Sequence, residues 1–250
     1  MTTTMVHPVQ KYVFSIIQSK KEVTFGSIGF GGREVHTIHY KDLAAVVCDV
    51  DNNAFNILKE GLTHQKVTET VMERYTVIPF RFGMTPKDEN DIKGFLNRYY
   101  VELKKAIGKI EGKVEVGLKV YLTENFVNEK IGKLRNSDRI KSLTFKILHN
   151  PSEAYHLKIE LGELIANTLS REGEQIAQGI YETLCPWAVE TRRNEIMSER
   201  MILNAAFLVD RQFEEMFDQH VNLIEEMAEG QIKLKYVGPC PPYNFVNMEV

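Results

Sequence analysis

Apolar positions in this chain recur with a period of two, with a period near 3.6, or without interruption, and the order of these patterns predicts its elements. Tyr12-Val-Phe-Ser-Ile-Ile17 is a β-rich run that predicts a buried strand. In the next strand, Val35, Thr37 and His39 share one face, and His36, Ile38 and Tyr40 share the other. Leu43-Ala-Ala-Val-Val-Cys48 is continuously apolar, which suits a central strand. Asp49, Asp51, Asn52 and Asn53 mark a turn and offer helix caps. Phe55, Leu58, Leu62 and Val71 then outline a helix to about residue 73, with Ile57 and Val67 less well placed. The chain returns through Val77-Ile-Pro-Phe-Arg-Phe-Gly83 as a strand whose Pro79 implies an edge or a bulge. Residues 1–84 thus predict a first α+β domain.

Thr85-Pro-Lys-Asp88 reads as a helix start, with Thr85 as cap. Ile92, Phe95, Leu96, Tyr99, Leu103 and Ile107 follow as one apolar stripe, closed by Gly108 and Gly112. Val114, Val116, Leu118, Val120 and Leu122 share one face of a strand, opposite Glu115, Lys119 and Tyr121. Residues 124–149 are weakly amphipathic helix with a break at Asn136-Ser-Asp138, and a long helix covers residues 153–184, weakened by Gly162, Gly173 and Gly179. Residues 187–191 and 201–209 predict a hairpin, with Trp187 in the core. Phe213, Met216, Phe217, Val221, Ile224 and Met227 give another helix, stopped by Gly230, and residues 231–237 the last strand. From Val114 onward the order is β-α-β-β-α-β, the split βαβ of ferredoxin-like folds, whose first and third strands are central. The expected fold class is α+β in two domains, the second being residues 85–250, a modified ferredoxin-like domain with long helices.

The tail is expected to break the last strand at Gly238 and Pro239 and to stay near polyproline II through Pro239, Pro241 and Pro242. Tyr243 and Phe245 would leave two large rings in water, so residues 238–246 are expected to fold back as a structural latch.

Charge and composition narrow the function. Across 250 residues the formal net charge is −3, so no basic excess points to nucleic acid. Cys48, Cys185 and Cys240 are far apart and form no CxxC, which fits a reducing cytoplasm. No run approaches the ~18 apolar residues of a membrane span, and residues 1–8 lack the pattern of a signal peptide.

Chemistry is sparse. Gly29-Phe-Gly-Gly32 lacks a P-loop's Gly-Lys-Ser/Thr and no helix follows it, so it reads as a tight hairpin turn. His36 and His39 lie on opposite strand faces and cannot share a metal; His64 and His220 sit alone on helices. No G-x-S-x-G elbow is present, so no catalytic, cofactor-binding or metal-binding residue is assigned and no enzyme is expected. Arg192, Arg193 and Arg200, interleaved with Glu190, Glu195 and Glu199, read as a mixed-charge surface. Arg81 stands out, because a charge inside an apolar strand must be paired or reach solvent. It reads as an interdomain ion pair or as a contact for a partner protein, with Phe82 beside it.

Four stretches together resemble one family. Ile28-Gly-Phe-Gly-Gly32 with Asp42-Leu-Ala-Ala-Val-Val47, Val77-Ile-Pro-Phe-Arg-Phe-Gly83, Asn204-Ala-Ala-Phe-Leu-Val209 and Gly238-Pro-Cys-Pro-Pro-Tyr-Asn-Phe-Val246 look like the gas vesicle F/L proteins, from about residue 12 to 246. Cys240 departs from the family, which usually has tryptophan there, so the latch lacks one aromatic anchor. The resemblance implies two α+β domains, the second ferredoxin-like. It also implies a non-enzymatic role in gas vesicle assembly, with the hydrophobic shell protein and other accessory proteins as partners, in the cytoplasm or at the vesicle. The rival expectation is a small-ligand-binding regulatory protein on the same fold.

Overall fold

β-Branched and aromatic residues dominate the segments that become the first sheet. In a computed structural model, which describes residues 10–50 and 57–246 (side chains of 57–59 excepted), these are β1 (Gln10–Gln18), β2 (Thr24–Gly26), β3 (Val35–Tyr40) and β4 (Leu43–Val50). After α1 (Ile57–Met72) comes β5 (Val77–Pro79). The strand order is β2-β3-β4-β1-β5, antiparallel throughout, with the continuously apolar β4 at the centre as expected. Gly29–Gly32 lies between β2 and β3, where Phe30–Gly32 form a 3₁₀ turn. The short β2 was not predicted; its three residues carry too little pattern. Asp51, Asn52, Asn53 and Phe55 lie outside the described residues, whereas Asp49 is no cap: Lys11, its partner in the β1–β4 register, pairs with it at 2.6 Å.

Alternation along β4 sends Ala44, Val46 and Cys48 to one face, where Tyr12, Phe14, Val67 and Val71 join them in a core with α1. A bulge between Val13 and Ser15 inserts Phe14, so that Tyr12, Phe14 and Ile17 can all serve that core. Leu43, Ala45 and Val47 face the other way, and there α2 (Glu89–Arg98) and α3 (Tyr100–Ile110) cover the sheet. The single stripe expected over residues 85–107 is two helices. Asp88, not Thr85, caps the first by accepting from the N–H groups of Asn90 and Asp91, and the chain breaks at Tyr99 (φ −104°, ψ 20°). The β3–β4 turn is tied to α3 through Asp42, which accepts from Tyr100 Oη at 2.6 Å and Lys104 Nζ at 2.8 Å. These donors, Lys104 first, hold its carboxyl down at about 2.

β6 (Lys113–Leu122) begins the second sheet. It is followed by α4 (Glu124–Arg135), α5 (Asp138–His149), α6 (Ala154–Leu184), β7 (Glu190–Arg193), β8 (Met201–Asp210), α7 (Glu214–Met227) and β9 (Ile232–Cys240). Its order is β7-β8-β6-β9, so the two most apolar strands, β6 and β8, are central. Val116, Leu118, Val120 and Leu122 from β6 meet Leu203, Ala205, Phe207 and Val209 from β8 in one core with Phe217 and Val221 of α7. Gly173 lets α6 approach β8 closely: a Cβ there would stand 2.8 Å from Ile202 Cγ2. Trp187 packs half-buried against this core, but from the end of a 3₁₀ turn rather than from a strand, with its ring 4.2 Å from that of His220.

By compactness the chain divides into two units, residues up to 115 together with those from 239 on, and residues 116–238. The boundary expected after residue 84 falls inside the first unit, because α2 and α3 pack on its sheet. The chain leaves that unit within β6 and returns to it within β9.

Candidate functional site

Proline has no N–H to give a ladder, and Pro79 ends β5. The strand expected to continue to Gly83 stops there, and the backbone rises into a short arch. Phe80 N–H donates to Phe14 O at 3.0 Å, and Val13 N–H donates to Met84 O at 3.0 Å, so both feet of the arch stand on β1. Gly83 closes the bend at φ +105°, a conformation that favours glycine.

A buried side-chain chain joins the two feet. His64 Nε2 lies 3.0 Å from Phe80 O, Tyr12 Oη lies 2.9 Å from His64 Nδ1, and Gly83 N–H donates to Tyr12 Oη at 3.0 Å. A carbonyl only accepts, so Nε2 carries the proton; Nδ1 then accepts from the Tyr12 hydroxyl, whose oxygen accepts from Gly83. Every partner is satisfied by one tautomer. Burial pushes the Tyr12 phenol up and the His64 imidazole down, which keeps both neutral. Arg81 is exposed and makes no ion pair among the described residues. Phe82 turns inward and is half-buried, with ring centroids 6.0 Å from both Tyr12 and His64. Of the two candidate contact residues, one faces water and the other braces the arch.

The tail sits in the same unit. β9 does not stop at Gly238 and Pro239 but runs to Cys240 as an edge strand, where a proline costs no ladder bond. Residues 241–246 turn rather than extend: Tyr243 N–H donates to Pro241 O at 2.8 Å and Phe245 N–H to Pro242 O at 3.2 Å. Pro241, Pro242 and Phe245 are buried. Glu115, only 4% exposed, accepts from Asn244 N–H at 2.7 Å and from its side-chain amide at 2.5 Å. Lys109 Nζ donates to Phe245 O at 3.3 Å, and the Cys240 thiol to Glu115 O at 3.3 Å. Tyr243, pushed up to about 12 mainly by burial, lies beside Thr68, whose hydroxyl donates to His64 O at 2.8 Å. The arch and the tail therefore share α1 as a support.

Among the described residues, the first unit holds an apolar cavity and a polar groove. The cavity of about 180 Å³ is lined by apolar side chains, among them Val13, Ile16, Phe80, Met84 and Phe95, with Asp91 alone charged. The larger groove of about 550 Å³ is polar, with Glu22, His36, His39, Glu89 and Lys93 among its walls. Among the described residues no group of three or more His, Cys, Asp or Glu could hold a metal ion, and no helix is long and apolar enough to cross a membrane. In the second unit, Arg193 pairs with Glu174 at 3.1 Å and Arg200 with Glu124 at 3.1 Å, acids outside the interleaved set.

This chain matches, over residues 10–247, the family described as gas vesicle synthesis protein GvpL/GvpF. It is 26% identical over 244 residues to gas vesicle protein F1 of Halobacterium salinarum, with 96% of this chain and 93% of that protein covered. It is 29% identical over 197 residues to gas vesicle protein F of Microcystis aeruginosa, covering 75% and 77%. The crystal structure of gas vesicle protein GvpF from Anabaena sp. PCC7120 superposes with a TM-score of 0.80 at 24% identity, over 97% of this chain and 100% of that one. That likeness is one of fold: mixed α/β, with two antiparallel sheets and their helices. A match running from β1 through the arch to the tail leaves one conclusion, that the chain belongs to the gas vesicle GvpL/GvpF family.

Proposed function

We propose that this protein is an accessory factor of gas vesicle assembly, which binds the hydrophobic shell protein, other gas vesicle proteins or both, and limits premature aggregation of the shell subunit. Family membership across residues 10–247 is the observation that carries this reading. A strongly apolar subunit needs cover until it is built into a wall, and a partner with a shaped apolar and charged surface supplies it. The contact lies on the first unit at the arch, with Arg81 outward and Phe82 behind it. Gly238, Pro239, Pro241, Pro242, Tyr243 and Phe245 act as a structural latch on that unit. The second unit is a modified ferredoxin-like fold, a reading supported by the order β7-β8-β6-β9. The role is non-enzymatic, calls on no cofactor or metal, and belongs to the cytoplasm and the gas vesicle.

Co-expression of a tagged copy with the major shell protein tests this. Soluble shell subunits should co-purify with the tag; a shell protein that aggregates as it does alone sinks direct chaperoning and leaves an adaptor role among accessory proteins. The apolar cavity of about 180 Å³ favours a second reading, a regulatory protein that takes a small ligand. Thermal stabilisation by a small apolar metabolite, with no capture of shell protein, would select it.

A further inference from the structure

The arch between Phe80 and Gly83 is fixed more firmly than an ordinary exposed loop of its length. Two backbone bonds seat its feet on β1, and the Tyr12–His64 pair ties Phe80 O to Gly83 N–H from beneath. The pair is buried, yet its polar atoms touch the arch. An apolar pair would fill the same core without that cost, since a buried hydroxyl or imidazole must find partners. What the network adds is position, and the side chain it leaves exposed is that of Arg81.

A guanidinium presents its donors in a planar fork that matches a carboxylate through two parallel N–H···O bonds, a geometry that depends on how the side chain is mounted. We propose that Tyr12 and His64 are positioning residues of the partner-binding site, holding the arch so that Arg81 meets a carboxylate of the partner protein. This rests on the reading of residues 81 and 82 as partner contacts.

The test is co-purification of co-expressed shell protein with the tagged full chain, scored per folded molecule, for Arg81→Ala, Arg81→Glu, Tyr12→Phe and His64→Gln. Arg81→Ala should lower capture about tenfold, the loss of one charge-assisted pair. Arg81→Glu should abolish it by repelling the carboxylate. Tyr12→Phe keeps the ring but removes the Gly83 acceptor; capture should fall about fivefold and the Gly83 amide should lose protection from hydrogen exchange. His64→Gln still offers one donor and one acceptor and should keep most of the capture, whereas His64→Leu should not. Tyr12→Phe should add nothing once Arg81 is Ala.

If Arg81→Ala captures as well as the parent, the contact is not at the arch and the reading of that site fails. If Arg81→Ala weakens capture while Tyr12→Phe and His64→Leu do not, or if the losses simply add, the contact stands and the positioning role falls. Should Tyr12→Phe fail to fold, the His64→Gln and His64→Leu pair decides between the same outcomes.

Discussion

His64 is neutral because of where it sits. Burial holds its pKa below the ordinary value near 6.5, and the bond to Phe80 O offsets this only in part. The unfolded chain therefore takes up the proton first as pH falls, so folding loses stability there. The contribution of His64 is complete above about pH 6.5 and is lost as pH falls from that value through the lower, folded one. Its neighbours do not confuse the measurement: Cys48 on β4 is pushed up to about 11 and Tyr243 to about 12, each chiefly by burial, and Tyr12 is raised as well. The urea midpoint should be level between about pH 7 and 8 and decline below about pH 6.5, more steeply than in His64→Gln. An equal decline in that variant would assign the slope to other groups.

Close packing of α6 on β8 sets the next scale. A Cβ at Gly173 would stand 2.8 Å from Ile202 Cγ2 and 3.6 Å from Leu122 Cδ1, so Gly173→Ala should cost about 1–3 kcal/mol by overpacking. Truncating Ile202 to Ala should relieve part of this, making the double variant more stable than the two losses summed; simple additivity would show that this contact does not limit the approach. The same glycine reads in the sequence only as a weak point in a helix. That contrast runs through the chain. Period-two and uninterrupted apolar runs marked β1, β3, β4, β6 and β8 because each buries its own side chains. In α1 the expected stripe holds at Val71, whereas Leu62 is 70% exposed and Val67, placed less well, is fully buried. Among the described residues the buried face is His64, Val67, Thr68 and Val71, at i, i+3, i+4 and i+7, and two of these four are polar. Arg81 and Phe82 drew notice as a charge and a ring in an apolar run. Tyr12, His64 and Glu115 did not, since what makes them special is a partner up to 129 positions away.

At the scale of the molecule, the first unit is built from two distant stretches of chain, and Glu115 is where they meet. Glu115→Ala removes the acceptor of both Asn244 donors and should lower stability by about 2 kcal/mol or more, since bonds to a charged group are worth about 1.5–3 kcal/mol each. Release of the tail has its own readout at Cys240. Its thiol is pushed up to about 12, mainly by burial, and should react slowly with an alkylating agent in the parent and much faster in the variant. An unchanged labelling rate would mean that the prolines and Phe245 hold the tail without the carboxylate. This division of the first unit also imposes a schedule on the chain. Ribosomes add roughly 5–20 residues per second, so the second unit takes about 6–25 s to synthesise. For all of that time a nascent chain carries β1 to α3 and the Glu115 socket without residues 239–246 to fill it. Whatever folds early in this protein must wait, incomplete, for what is translated late.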